Sequence, residues 1–213
     1  MNTPPTLIDL HFVPTANGQK ITIMLEECGL PYRSIRKPHG ATGPGAPNIS
    51  TLNPIGRYPV IVDPTGPDGV PATVFESLAI ALYLAEKSGR LLPSQGPARS
   101  ASLVWAAVAC TDLTPTMAAQ FFLTLRAESD LGEAVAWVEA EARRFLHAID
   151  LRLAQAEYLA GAPFSLADVL TFPLMATSVQ RLEGGFGGYP NIARWFEQVA
   201  ARPAVQKGMD AAR

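Results

Sequence analysis

The chain has 213 residues, of which 48% are hydrophobic, and a formal net charge of −2. That length is generous for one core and comfortable for two domains, and a near-neutral chain without a long basic run argues against nucleic acid as a partner. Cys28 and Cys110 lie far apart with no Cys-x-x-Cys spacing, which fits a reducing compartment and excludes a zinc framework or other metal centre of that kind.

In chain order, the first residues, MNTPPTLIDLHF, lack a basic n-region followed by an apolar h-region, so no signal peptide is expected. Leu7–Phe12 reads as a short apolar strand, and Val13–Gly18 as a loop of turn formers. Ile21, Met24, Leu25 and Cys28 then fall on one helical face. Gly29 suits a C-terminal cap, Pro31 stops the helix, and Tyr32–Lys37 forms a second strand. Pro38–Ser50 is rich in Gly, Pro and Ala and reads as irregular. Val60–Asp63 is a third strand, Thr65–Gly69 carries hairpin chemistry, and Thr73–Phe75 is a fourth strand. Ser77–Lys87 is a helix, apolar almost all round and therefore buried, stopped at Gly89. Its apolar run is far too short to span a bilayer, so no membrane partner is expected and the cytoplasm is the expected location.

Beyond Gly89 no convincing strand appears. Helical patterns cover 98–127, 131–156, 166–182 and 192–201, then a short tail. The predicted fold is an α+β two-domain chain, residues 1–90 forming a β-α-β-β-β-α domain and residues 98–213 an all-helical one. Ser165-Leu-Ala-Asp168 resembles a capping box with Asp in place of Glu, a folding signal without chemistry. Cys28, on the apolar helix face, reads as a small buried hydrophobe. His11, His39 and His147 show no ligand spacing.

Several segments hold local possibilities for binding. Tyr58-Pro59 precedes a strand, and the base rate of cis at X–Pro bonds, about 5–6%, favours trans. Glu76-Ser77 joins a strand to a helix, where Ser77 can act as an N-cap and free N–H groups suit a carboxylate. Thr15 and Asn17 stand before the first helix, where Asn17 can cap it, or a hydroxyl or amide can donate to a ligand sulfur.

Thr15-Ala-Asn-Gly18, Tyr58-Pro59, Phe75-Glu76-Ser77 and Phe164-Ser-Leu-Ala-Asp168, in that order, resemble the cytosolic glutathione transferase family. The first half is similar to its bacterial Nu-class and yeast nitrogen-regulator branch. The resemblance implies a thioredoxin-like N-terminal domain that binds glutathione and a helical C-terminal domain that holds a hydrophobic substrate. It reverses the prior at Tyr58–Pro59, since the family keeps a cis proline there, with the Tyr58 backbone pairing with the tripeptide. It places the γ-glutamyl end at Glu76 and Ser77, and makes Thr15 and Asn17 the catalytic residues that position and activate the thiol.

In that branch the loop at Pro38–Pro47 offers a Gln or Lys to the ligand; here only His39 and Thr42 are polar. Arg57 keeps the usual cation before the proline dipeptide. Trp137 stands where the branch has an arginine that reaches a second glutathione. The resemblance implies conjugation of electrophiles or glutathione-dependent reduction of disulfides or peroxides, no metal, and a homodimer. The alternative is a catalytically weak glutathione-binding or regulatory protein that kept the fold. A glutathione-using isomerase is a third reading, without the Ser-rich segment usual there.

Overall fold

The computed structural model describes residues 7–38, 49–125, 131–179, 182 and 184–212. The chain divides into two compact units: one runs to Leu92 and takes back the segment from Arg202, and the other is Pro93–Ala201. The short tail thus packs with the first unit, not with the helices that precede it.

In the first unit, strands β1 (Ile8–Phe12), β2 (Tyr32–Arg36), β3 (Val60–Asp63) and β4 (Ala72–Phe75) form one sheet in the order β2-β1-β3-β4. β1 and β2 are parallel, joined through helix α1 (Ala16–Cys28), and β3 and β4 run antiparallel to their neighbours. This is the predicted thioredoxin-like arrangement. The Gly-Pro-Asp-Gly run turns the chain between β3 and β4 as a 3-10 turn, with Asp68 and Gly69 in the left-handed region at φ 57° and 74°.

Ile21, Met24, Leu25 and Cys28 are all buried, and Gly29 closes α1 in the left-handed conformation at φ 67°. The opposite side of α1 is buried too, because α1 packs against both α2 (Ser77–Ser88) and α8 (Pro203–Ala211). Gly208 of α8 lies against the backbone of Ile23, where an added Cβ would stand 2.6 Å from the Ile23 Cα. Glu27, buried on α1, receives a bidentate pair from Arg202 at 2.7 and 2.9 Å. α2 is tied down through Asp63, which accepts from Tyr83 at 2.6 Å and from Lys87 at 2.8 Å.

The second unit is all-helical, as predicted: α3 (Gly96–Ala107), α4 (Thr114–Leu125), α5 (Gly132–Ala154), α6 (Leu166–Thr177) and α7 (Pro190–Ala200). The single helix expected over 98–127 is broken by a π-helical turn at Val108–Leu113. Pro115 has no N–H to donate back along the helix, so the register must change near it. Threonine hydroxyls take up nearby carbonyls, Thr114 donating to Ala109 at 2.6 Å and Thr116 to Asp112 at 2.8 Å.

The capping box at α6 forms as predicted. Asp168, fully buried, also accepts from the Trp195 indole at 2.9 Å and the Leu159 N–H at 3.0 Å, so its lone pairs are satisfied. Asp150 caps α7 through the N–H groups of Asn191 and Ile192 at 2.9 and 3.0 Å. Among the described residues no helix is long and apolar enough to cross a membrane.

Candidate functional site

Sheet register brings the three N-terminal segments to one edge. His11 pairs with Val60, and Val60 with Phe75, so one row of residues crosses β1, β3 and β4. β3 is antiparallel to both neighbours. The chain therefore leaves β1 towards Thr15, enters β3 from Tyr58-Pro59, and leaves β4 towards Glu76-Ser77 on the same side. All six predicted residues belong to the first unit and gather there.

The entry to β3 is built by a residue the sequence reading missed. Asn53 is buried, its Nδ2 donates to the Arg57 carbonyl at 2.9 Å, and its Oδ1 accepts from the Ile55 N–H at 3.0 Å. One amide thus braces the turn that delivers Tyr58. The Tyr58–Pro59 bond is cis, as the family resemblance implied and against the base rate. Pro59 is buried and Tyr58 half-buried, with burial raising its phenol above the usual range. Among the described residues the Tyr58 main chain makes no backbone hydrogen bond, which leaves an edge able to pair with an extended peptide.

At the start of α2 the capping position belongs to Glu76, not to Ser77. Glu76 is exposed, holds φ 71° and ψ 123°, and makes no side-chain cap. Ser77 is the first helical residue and is buried, and its hydroxyl makes no hydrogen bond among the described residues. The Glu76 carbonyl accepts the first helical bond, from Ile80 at 2.9 Å. The N–H groups of Ser77, Leu78 and Ala79 consequently have no acceptor within the helix, and their dipoles add to a site for negative charge. A non-glycine residue at such a φ/ψ is strained, and strain of this kind concentrates at binding sites.

At the start of α1, Thr15 occupies the capping position in extended conformation without a side-chain cap, and it is exposed. Asn17 sits one step inside the helix and does not cap it. Its Oδ1 accepts from the Lys20 ammonium at 2.9 Å. Lys20 is 1% exposed, a burial that sequence periodicity gave no means of reading. Gly18 is required by close packing, since an added Cβ would stand 2.2 Å from the Val13 carbonyl oxygen. Without a side chain there, the first turn of α1 can sit down on the β1–α1 turn.

Cys28 is buried at the far end of α1, where burial pushes its thiol up, and Cys110 lies in the π-helical turn of the helical unit. Among the described residues no cluster of three His, Cys, Asp or Glu side chains could hold a metal ion. His39 and Thr42 lie outside the described residues.

Comparison with known proteins matches residues 16–87 to the glutathione S-transferase N-terminal domain and residues 113–203 to the glutathione S-transferase C-terminal domain. The chain is 35% identical to the disulfide-bond oxidoreductase YfcG of Escherichia coli, over 95% of this chain and 94% of that protein. A glutathione transferase family member from Pseudomonas fluorescens, solved with two glutathione bound, superposes with a TM-score of 0.90 at 33% identity, covering 98% of this chain and 94% of that one. A glutathione transferase from Pseudomonas putida, solved with one glutathione disulfide per subunit, superposes with a TM-score of 0.90 at 31% identity, covering 98% and 93%.

Proposed function

The chain belongs to the glutathione S-transferase family, and from that premise we propose that it uses the thiolate of a bound glutathione to reduce small disulfides, and also to conjugate electrophiles. The observation that carries this reading is the start of α2: a buried Ser77 hydroxyl with no hydrogen bond, three free N–H groups, and Glu76 in a strained backbone beside them. Such a place binds a carboxylate next to an ammonium, the pair at the γ-glutamyl end of glutathione. The main chain of Tyr58 pairs with the cysteinyl backbone, and Pro59 shapes the turn. The thiol then lies towards Thr15 and Asn17.

A thiol of pKa about 8.5 is mostly protonated at neutral pH. Donors from Thr15 and Asn17, with the positive end of α1, favour the thiolate. In disulfide reduction the thiolate attacks one sulfur of the substrate, forming a mixed disulfide and expelling a thiolate that takes a proton. A second glutathione thiolate attacks the mixed disulfide at the glutathionyl sulfur, releasing glutathione disulfide and the second thiol. In conjugation the thiolate adds to an electrophilic carbon, forming a thioether. The relative named as a disulfide-bond oxidoreductase and the neighbour that holds glutathione disulfide favour the first chemistry.

We assign glutathione binding to residues 1–90 and the second substrate to the helices of the second unit, Pro93–Ala201, since the tail expected to belong with them packs with the first unit. The exposed Phe122 and Leu125 of α4 and Trp137 of α5 support a pairing of two copies. A soluble cytoplasmic homodimer is the proposed form. Titration calorimetry with glutathione and with its disulfide, followed by a coupled assay on a small aliphatic disulfide, tests this. Saturable heat and turnover are expected. No heat at millimolar ligand overturns the reading, and binding without turnover of disulfide or chlorodinitrobenzene makes the protein a binder only.

A further inference from the structure

We propose that Lys20 is a positioning residue for the reaction, which fixes the side-chain amide of Asn17 so that its Nδ2, and not its Oδ1, faces the glutathione sulfur. This rests on the functional reading above and names a part of that site which no motif singled out.

A lysine ammonium offers three donors and no acceptor. The Lys20 Nζ stands 2.9 Å from the Asn17 Oδ1, so the amide is oriented by chemistry: a flipped Asn17 would set its NH2 against an ammonium. With Oδ1 committed, the group left for a ligand is Nδ2, a donor. A thiolate sulfur accepts hydrogen bonds and a thiol donates only weakly, so a fixed donor stabilises the ionised form over the neutral one. A freely rotating asparagine would present oxygen part of the time, and that oxygen would repel the thiolate.

The burial of Lys20 makes the arrangement stiff. Lys20 is 1% exposed, on a helix packed between α2 and α8, so its ammonium cannot swing into water to release Asn17. Burying a cation is costly unless it is well paired, and a long side chain enclosed at this point needs an oxygen partner. Asn17 supplies its one side-chain oxygen while keeping the NH2 end of the same amide for the ligand. Thr15 is different: its hydroxyl, only loosely aimed at the Val13 carbonyl at 3.5 Å, is exposed and can rotate.

The test reads the ionisation of the thiol on the protein itself. Thiolate absorbance near 240 nm is followed against pH for glutathione bound to the wild type, to Lys20→Met, to Lys20→Gln, to Asn17→Ala and to the double variant Asn17→Ala with Lys20→Met. Lys20→Met is expected to raise the midpoint of the bound thiol by about one pH unit, with the affinity for glutathione changed less than threefold because Tyr58, Glu76 and Ser77 are untouched. Lys20→Gln, whose amide can donate to the Asn17 Oδ1, is expected to recover most of that shift. In the Asn17→Ala background Lys20→Met is expected to add nothing.

An unshifted midpoint in Lys20→Met, or equal added shifts with and without Asn17, overturns the proposal while the glutathione reading stands. Failure of the wild type to bind glutathione overturns both. Should Lys20→Met not fold, Asn17→Asp decides: it keeps a partner for Lys20 but has no donor to turn outward, so a midpoint that stays at the wild-type value refutes the role.

Discussion

Glu76 offers a direct measurement of what the binding frame costs the free protein. Its φ of 71° with ψ of 123° is a conformation that side chains with a Cβ avoid, at a cost of about 1–3 kcal/mol. Glycine removes the clash but gives back about 0.5–1 kcal/mol of backbone entropy. Taking the middle of both ranges, Glu76→Gly should therefore stabilise the ligand-free chain by about 1 kcal/mol, which for a chain of this size raises Tm by about 2–4 °C. Glu76→Ala keeps the Cβ and hence the strain, and loses only an exposed carboxylate, so its Tm should stay within about 1 °C of wild type. Both variants lose the carboxylate proposed to meet the γ-glutamyl ammonium, and glutathione should bind each about tenfold more weakly. Scanning calorimetry without ligand reads the first effect and titration calorimetry the second. A Glu76→Gly melt no higher than that of Glu76→Ala refutes the strain. Wild-type affinity in both removes Glu76 from the site.

Three other perturbations follow from the structure. Gly208→Ala would put a Cβ 2.6 Å from the Ile23 Cα, pushing α8 off α1 at a cost of about 1–3 kcal/mol. Its melt should fall by several degrees while Gly188→Ala, with open space around it, leaves the melt unchanged. Burial raises the carboxyl of Asp63, but hydrogen bonds from Lys87, Tyr83 and Thr65 outweigh it and hold the group below its usual value. A depressed folded-state pKa stabilises the fold above the unfolded value of about 3.9 and loses that contribution as pH falls through the folded value. Asp63→Asn should thus be less stable at pH 7 and show a flatter loss of stability below about pH 4, read by urea midpoints across pH. Finally, Cys28→Ala with Cys110→Ala should keep disulfide turnover within about twofold, since the reacting thiolate comes from the ligand; loss of turnover with the fold intact would make a protein cysteine the nucleophile.

The elements were legible wherever a local signal is obligatory. The i, i+3, i+4, i+7 spacing of Ile21, Met24, Leu25 and Cys28 marked a buried face, and Gly29 marked its end, because periodicity and left-handed caps depend only on near neighbours. The capping box at Ser165–Asp168 was readable for the same reason. The continuous helix expected over 98–127 is interrupted by a π-helical turn at Val108–Leu113, just before Pro115, a change that apolar periodicity does not encode. The cis bond at Tyr58–Pro59 was readable only through family resemblance, since nothing in the two residues selects it. At the start of α2 the serine looked like a cap, and the structure gives that place to Glu76, leaving the Ser77 hydroxyl for other use.

What stayed hidden depends on residues distant in sequence. Lys20 and Glu27 are charged and alternate with the apolar face of α1, which by pattern alone marks a solvated side. Both are buried, and for Glu27 the returning segment supplies the partner, Arg202. A helix enclosed on both faces can hold a lysine against its own first turn, whereas a surface helix would let the ammonium escape to water. If Lys20 positions Asn17 as proposed, the return of the tail to α1 would bear on the chemistry as well as on stability, because α8 packs on the helix that carries both residues. A variant that loosens α8 without touching the site, such as Gly208→Ala, should raise the midpoint of the bound thiol in the same direction as Lys20→Met, by a smaller amount. A loosened α8 with an unmoved midpoint would separate the tail from the chemistry and confine it to holding the fold.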